Sequence, residues 1–205
     1  MVQCLTNILI RNKTKMMFGK NLQSGHVVDR ISSNTVGVEL GVWQGDSSAK
    51  FVTKTKHLHL VDAWAVEPYK NNKEHGDYNT YLSRYSELVG SSNPENFQKY
   101  YDKIHESVKE KFKNNNVTIH RMTTAEFFEQ FKETVDWIYV DAAHDFNGCY
   151  KDLCSSLKIV KPGGIIYGDD YNNRPGVKLA VDAFIKEHNL KFNNFFGNQY
   201  EIQVP

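Results

Sequence analysis

Three aspartates and one histidine in the second half of the chain could do chemistry together. Asp141 closes the apolar run that starts at Trp137, and His144 follows three residues later. Asp169 and Asp170 close the run that starts at Ile165. If these runs are neighbouring parallel strands, their ends lie about 5 Å apart. Three carboxylates at that spacing repel by several kcal/mol unless a cation sits among them or their pKa values rise. A set of oxygen ligands selects a hard ion such as Mg²⁺, Ca²⁺ or Mn²⁺. His144, on the same rim, is a candidate general base. A plainer arrangement uses the same residues: Asp145 or Asp170 caps a helix, Arg174 neutralises the acids, and no metal binds.

A second stretch has different chemistry. Val36–Val52, VGVELGVWQGDSSAKFV, opens apolar and β-branched, breaks at Gly41 and Gly45, and resumes as a short amphipathic run. That order predicts a strand, a glycine loop and a helix start. Gly41 allows a sharp turn and a close backbone approach to a ligand. Asp46 is the expected N-cap, and the N–H groups behind it, from Ser47 on, favour a polar ligand group. Glu39 stands two residues before Gly41. Asp62 ends the next apolar run about twenty residues past the loop, where a carboxylate can accept from both hydroxyls of a ribose.

These positions need a scaffold that brings strand ends to one edge. From Thr35 onward, short apolar runs alternate with helical patterns. The expected strands are Thr35–Leu40, His57–Asp62, Val117–His120, Trp137–Asp141 and Ile165–Asp169, and most lack polar alternation, as parallel strands buried on both faces do. Phe146 to Val160 and Val177 to His188 carry apolar residues at three- and four-residue steps. Lys161-Pro162-Gly163-Gly164 is expected to end the first of these helices before the next strand. Leu190 to Val204 reads as two strands around Gly197-Asn198, an antiparallel hairpin at the sheet edge. The result is an α/β, doubly wound open sheet with ligands beyond the carboxyl ends of its strands. The connection 63–116 is too long for one crossover. It reads as two helices, one through Tyr78–Tyr85 and one through Phe97–Phe112, with a lid or substrate wall as the sharper expectation and simple packing as the plainer one. Residues 1–34 form an extension in which Leu22–Ile31 could be a short helix.

Composition narrows the classes. The 205 residues carry a net charge of +1 and the pI is about 7.7, which argues against broad binding to nucleic acid or a membrane surface. Mean hydropathy is −0.56, and no apolar run is long enough for a membrane span. The three cysteines, Cys4, Cys149 and Cys154, are odd in number and lack metal spacing, which suits reduced thiols in a cytoplasmic protein. A single domain is expected, and a homo-oligomer is compatible with it.

The runs VGVELGVWQGDSS, HLHLVDAW, VDWIYVDAAHDFNGCYKDLCSSLKIVKPGGIIYGDDY and PGVKLAVDAF resemble a class I S-adenosylmethionine-dependent methyltransferase. They are most similar to the small-molecule O-methyltransferases that include macrolide-sugar enzymes. The resemblance covers Val36 to about Phe184. It implies a Rossmann-like seven-stranded sheet, mostly parallel with an antiparallel last strand and helices on both faces. It also implies that Glu39, Gly41, Gly45 and Ser47 hold the methionine part of the cofactor. Asp62 would take the ribose, Met122 and Thr123 would border the adenine, and Asp141 would close the cofactor site. Metal-dependent relatives place acidic ligands where Asp141, Asp169 and Asp170 stand, and a base where His144 stands. The implied reaction is methyl transfer to a hydroxyl of a small-molecule acceptor, assisted by Mg²⁺ or another hard cation.

Two other enzyme classes and one non-enzyme fit parts of the pattern. A NAD(P)-dependent oxidoreductase would also use a glycine loop and Asp62, but the G-x-G-x-x-G fingerprint is absent. A metal-dependent hydroxylase on a related fold would prefer histidine among its iron ligands. A binding protein could keep the fold without catalysis, though the intact acidic set gives it no reason to.

Overall fold

The computed structural model describes residues 24–70, 77–195 and 197–205. Most of the 1–34 extension, and Cys4 with it, lies outside these residues. Seven strands form one sheet: β1 (Thr35–Leu40), β2 (Thr55–Asp62), β3 (Val117–Arg121), β4 (Val135–Val140), β5 (Val160–Gly168), β6 (Lys191–Phe195) and β7 (Gln199–Gln203). Their order is β3-β2-β1-β4-β5-β7-β6. The first five run parallel, and β7 is antiparallel to both β5 and β6. This is the expected doubly wound sheet with an antiparallel last strand. Central β1 and β4 bury their last four residues, which is why they read as unbroken apolar runs.

Helices cover both faces. On one lie α5 (Thr124–Gln130), α6 (Phe146–Ile159) and α7 (Pro175–His188), packed through Phe127, Leu153 and Phe184 onto Val38, Leu40, Ile138 and Ile166. On the other lie α1 (Ser24–Arg30), α2 (Ser48–Phe51), α3 (Tyr78–Val89) and α4 (Pro94–Phe112), around Phe51, Trp64, Phe97 and Tyr139. Each such side chain, fully buried, contributes about 1.5–3 kcal/mol. Cys149 and Cys154 on α6 are unpaired thiols.

The long connection holds the two expected helices. Asp77 caps α3 by accepting from the Thr80 amide at 2.8 Å, and Gly90 ends it in a left-handed turn. Asn93 caps α4 at the Glu95 amide, and Pro94 sits at its first position, where no N–H is needed. Phe97, Tyr101, Ile104, Val108 and Phe112 form the buried stripe of α4, and Tyr81 of α3 stacks on Tyr69 with ring centroids 4.2 Å apart.

Two expectations are corrected. The stretch 161–164 does not end a helix before the strand; α6 stops at Ile159 and β5 starts at Val160. The proline and glycines are absorbed because the β4–β5 register shifts there, and Gly163 and Gly164 exchange backbone bonds with Val204 at 3.1 and 3.0 Å. Asp46 does not cap a helix. Helix α2 starts at Ser48 with Ser47 in the cap position, already helical and making no side-chain cap bond. The exposed Asp46 carboxylate instead pairs with Lys111 at 3.0 Å.

Candidate active site

Register brings the acidic positions to one level. Leu40 pairs with Val61 and Val140, and Val140 pairs with Gly168. The residues one step beyond continue the ladder: the Gly41 amide donates to Val61 O, Asp141 to Leu40 O and Asp169 to Val140 O. Gly41, Asp62, Asp141 and Asp169 therefore line the carboxyl edge of adjacent strands. Gly41 has φ 84°, and a Cβ there would overlap the carbonyl oxygen of Asp141. Only glycine lets the first loop cross the end of β4.

The two acids beside the glycine loop, Glu39 and Asp62, are held in different ways. Glu39 is 1% exposed and accepts a short bond from the Ser48 hydroxyl. Burial raises its carboxyl well above the usual range; the Ser48 bond opposes this, and Asp141 and Asp62 add to it. Asp62 is gripped by backbone. Its Oδ2 accepts from the Trp43 amide at 2.9 Å and its Oδ1 from the Trp64 amide at 2.8 Å. Both tryptophans have left-handed backbone, φ 52° and 39°, a conformation a bulky residue adopts only when its surroundings enforce it. Burial raises the Asp62 carboxyl, and these amide bonds oppose the shift. The Met122 amide donates to the Asp62 backbone carbonyl at 3.0 Å, which sets Met122 and Thr123, just past β3, next to the end of β2. Thr123 also caps α5 in a reciprocal box with Glu126.

The second cluster gathers Asp141, His144 and Asp170, each offering a ligand atom within 4.8 Å of the others. His144 Nε2 lies 2.9 Å from Asp170 Oδ2 and 3.6 Å from Asp141 Oδ1. The three side chains keep 22%, 18% and 26% exposure in the order His144, Asp170, Asp141, enough for a ligand to reach them. Burial pushes the Asp141 carboxyl up to about 6; the His144 bond opposes it, and the charges of Asp169 and Asp170 reinforce it. At Asp170 burial also disfavours ionisation, but the His144 bond and the His144 and Arg174 charges outweigh it and hold the carboxyl below its usual range. Arg174 Nε is 3.6 Å from Asp170, and Asp145 caps α6 at the Gly148 amide, so both elements of the plainer arrangement are present beside the cluster.

Asp169 faces elsewhere. Its Oδ2 accepts from the Tyr139 hydroxyl at 3.0 Å, its Oδ1 from the Asp170 amide at 2.7 Å, and Gln199 Nε2 donates to the Tyr139 oxygen at 3.3 Å. In the gathered triad, His144 occupies the place that sequence reasoning gave to Asp169. Asp170 has left-handed backbone, φ 67°, and the Asp169 carboxylate is held by Tyr139 instead. The residues sequence reasoning missed are the supports: Ser48 for Glu39, the amides of Trp43 and Trp64 for Asp62, and Tyr139 with Gln199 for Asp169. Nothing local in the sequence signals any of them.

The fold is shared with solved methyltransferases at low identity. A Staphylococcus aureus protein described as a caffeoyl-CoA O-methyltransferase is 15% identical, with TM-score 0.61, covering 96% of this chain and 90% of its own. A Streptococcus mutans protein described as a methyltransferase, solved in complex with SAH, is 11% identical, with TM-score 0.58, covering 90% and 96%. The N-methyltransferase NodS from Bradyrhizobium japonicum WM9, in complex with S-adenosyl-L-homocysteine, is 14% identical, with TM-score 0.53, covering 88% and 85%. No curated protein matches the chain. Residues 38–171 match the model of a family described as a methyltransferase domain, a span that takes in the glycine loop, Asp62 and the Asp141–His144–Asp170 cluster, and the chain belongs to that family.

Proposed function

We propose that the protein transfers the methyl group of S-adenosylmethionine to a hydroxyl of a small molecule. The observation that carries this reading is the strand register, which sets Gly41, Asp62 and Asp141 side by side at one edge. Family membership supports the reaction class, and the S-adenosylhomocysteine held by two structural neighbours supports the cofactor. Glu39, Gly41, Gly45 and Ser47 hold the methionine portion, Asp62 the ribose, and Met122 and Thr123 border the base. Asp62 uses backbone amides to fix its orientation, and its carboxylate is the acceptor for the ribose hydroxyls.

S-adenosylmethionine supplies an electrophilic methyl carbon on a sulfonium centre. The chain must align the acceptor oxygen with that carbon, exclude water and take the acceptor's proton. His144 is the proton acceptor in this scheme through Nδ1, because Nε2 faces the Asp170 carboxylate and donates to it. Asp170, 2.9 Å away, orients the ring and stabilises its protonated form. The acids also fit a divalent cation: Asp141 and Asp170 offer hard oxygens that would hold Mg²⁺ or Mn²⁺. Such an ion would supply Lewis-acid polarisation of the acceptor hydroxyl.

Thermal unfolding with S-adenosylmethionine, S-adenosylhomocysteine, NAD and NADP, each with and without Mg²⁺, tests the reading. A ligand at a hundred times its Kd adds about 2.7 kcal/mol of stability. Stabilisation by the two sulfur nucleosides is the expected result. Stabilisation by NAD or NADP alone would overturn it in favour of an oxidoreductase.

A further inference from the structure

Lys111 stands in the last turn of α4, 66 positions from Gly45 in sequence. Its ammonium reaches across to the glycine loop and places all three of its donors there. Nζ lies 3.0 Å from Gln44 O, 2.9 Å from Gly45 O and 3.0 Å from Asp46 Oδ1. An ammonium has three donors, so its hydrogen-bonding capacity is spent on three consecutive loop residues. The next residue of α4, Phe112, presses on the same loop: a Cβ at Gly45 would come within 2.7 Å of its ring. Gly45 itself has φ 71°.

The loop needs such a hold. Two glycines in left-handed conformation within five residues leave it with large conformational freedom when unsupported. Helix α4, by contrast, is anchored along 19 residues by five buried side chains. At its other end it also grips the loop after β2, where Gln98 Nε2 donates to Trp64 O at 3.2 Å and Gln98 Oε1 accepts from the Val66 amide at 3.2 Å.

We infer that Lys111 is a positioning residue for the cofactor site: it clamps the Gly41–Gly45 loop to α4 in the shape that receives the methionine portion of the cofactor. The long connection between β2 and β3 thereby acquires a role in cofactor affinity. This rests on the cofactor reading above.

The test uses the full chain and its Lys111→Met and Lys111→Arg variants. Titration calorimetry with S-adenosylhomocysteine is read beside hydrogen exchange of the Gly45–Ser48 amides. Lys111→Met keeps the apolar stem but no donor, and is expected to weaken binding about tenfold through lost preorganisation. The loop amides should exchange faster while those of β1 and β4 keep their protection. Lys111→Arg retains a cation with several donors and should restore both readouts to within about threefold of the parent. A Lys111→Met protein that matches the parent in binding and exchange overturns the inference. So does a loss shared by Lys111→Arg in which β1 and β4 also lose protection, because that is general unfolding. If the parent takes up no S-adenosylhomocysteine, the cofactor reading fails, and the exchange data alone decide whether Lys111 holds the loop.

Discussion

His144 Nε2 and Asp170 Oδ2 stand 2.9 Å apart and tie the loop after β4 to the loop after β5. Removing either partner should separate chemistry from cofactor binding. Asp170→Asn and Asp141→Ala are expected to weaken Mn²⁺ binding at least about tenfold in calorimetry, and Asp170→Asn should keep S-adenosylhomocysteine affinity within about threefold of the parent. His144→Ala should slow turnover of a hydroxylated acceptor by about 10²–10⁴. Unchanged Mn²⁺ binding in both aspartate variants would remove the metal from the scheme.

Gly41→Ala tests the crossing of the first loop over β4. The new Cβ meets the Asp141 carbonyl, and the backbone is left-handed. A cost of about 2–3 kcal/mol is expected, seen as a fall of roughly 5–10 °C in Tm. A variant that melts with the parent would show that the loop has another way past the strand end.

Asp62 carries two burdens, and they can be measured apart. Asp62→Ala leaves the Trp43 and Trp64 amides without their carboxylate, at about 1–3 kcal/mol for each buried donor. Asp62→Asn retains one acceptor oxygen and should recover part of that stability. Both should lose S-adenosylhomocysteine affinity, since neither keeps two acceptors for a ribose diol. Full affinity in Asp62→Asn would move the ribose elsewhere.

Two buried groups set opposite pH dependences. His59 Nδ1 is 3.0 Å from His120 Nε2, with the His57 ring edge-on to it, centroids 4.7 Å apart. Burial, then the neighbouring histidines, lower its pKa to about 4 from 6.5. The unfolded chain takes up the proton first, so stability should drain away as pH falls from 6.5 towards 4, by on the order of 1 kcal/mol. His59→Gln should flatten that slope in urea titrations. Asp152 behaves the other way. Burial raises it from 3.8 to about 7, so the folded state holds its proton longer and stability is lost as pH rises through that window. Asp152→Asn should be the more stable protein at pH 8, by about 1–3 kcal/mol. Parallel pH profiles for parent and variant would refute either assignment.

What the sequence revealed depended on how local each cause was. Strands β1 and β4 were legible because burial on both faces leaves unbroken apolar runs, and Asp62 and Asp141 were legible because an acid ends each run. The orientation of Asp169 was not, because it is held by Tyr139, 30 residues away, which Gln199 backs in turn. Asp46 looked like a cap for want of any sign of Lys111, 65 positions on. Lys161–Gly164 looked like a stop because pairing with Val204 cannot be read from a proline and two glycines.

The place of β7 bears on how the protein is made. Synthesis runs from the amino end, and β7, the last of the seven strands to appear, lies between β5 and β6. Until Gln199–Gln203 emerges, β5 has one bare edge and β6 has no neighbour to pair with. Tyr139 and Asp169 also wait for Gln199, which closes their buried bond chain. A nascent chain halted before this strand exposes an unpaired template for aggregation. The carboxyl edge of the sheet, although its acids are translated earlier, is completed only when the β6–β7 hairpin has left the ribosome.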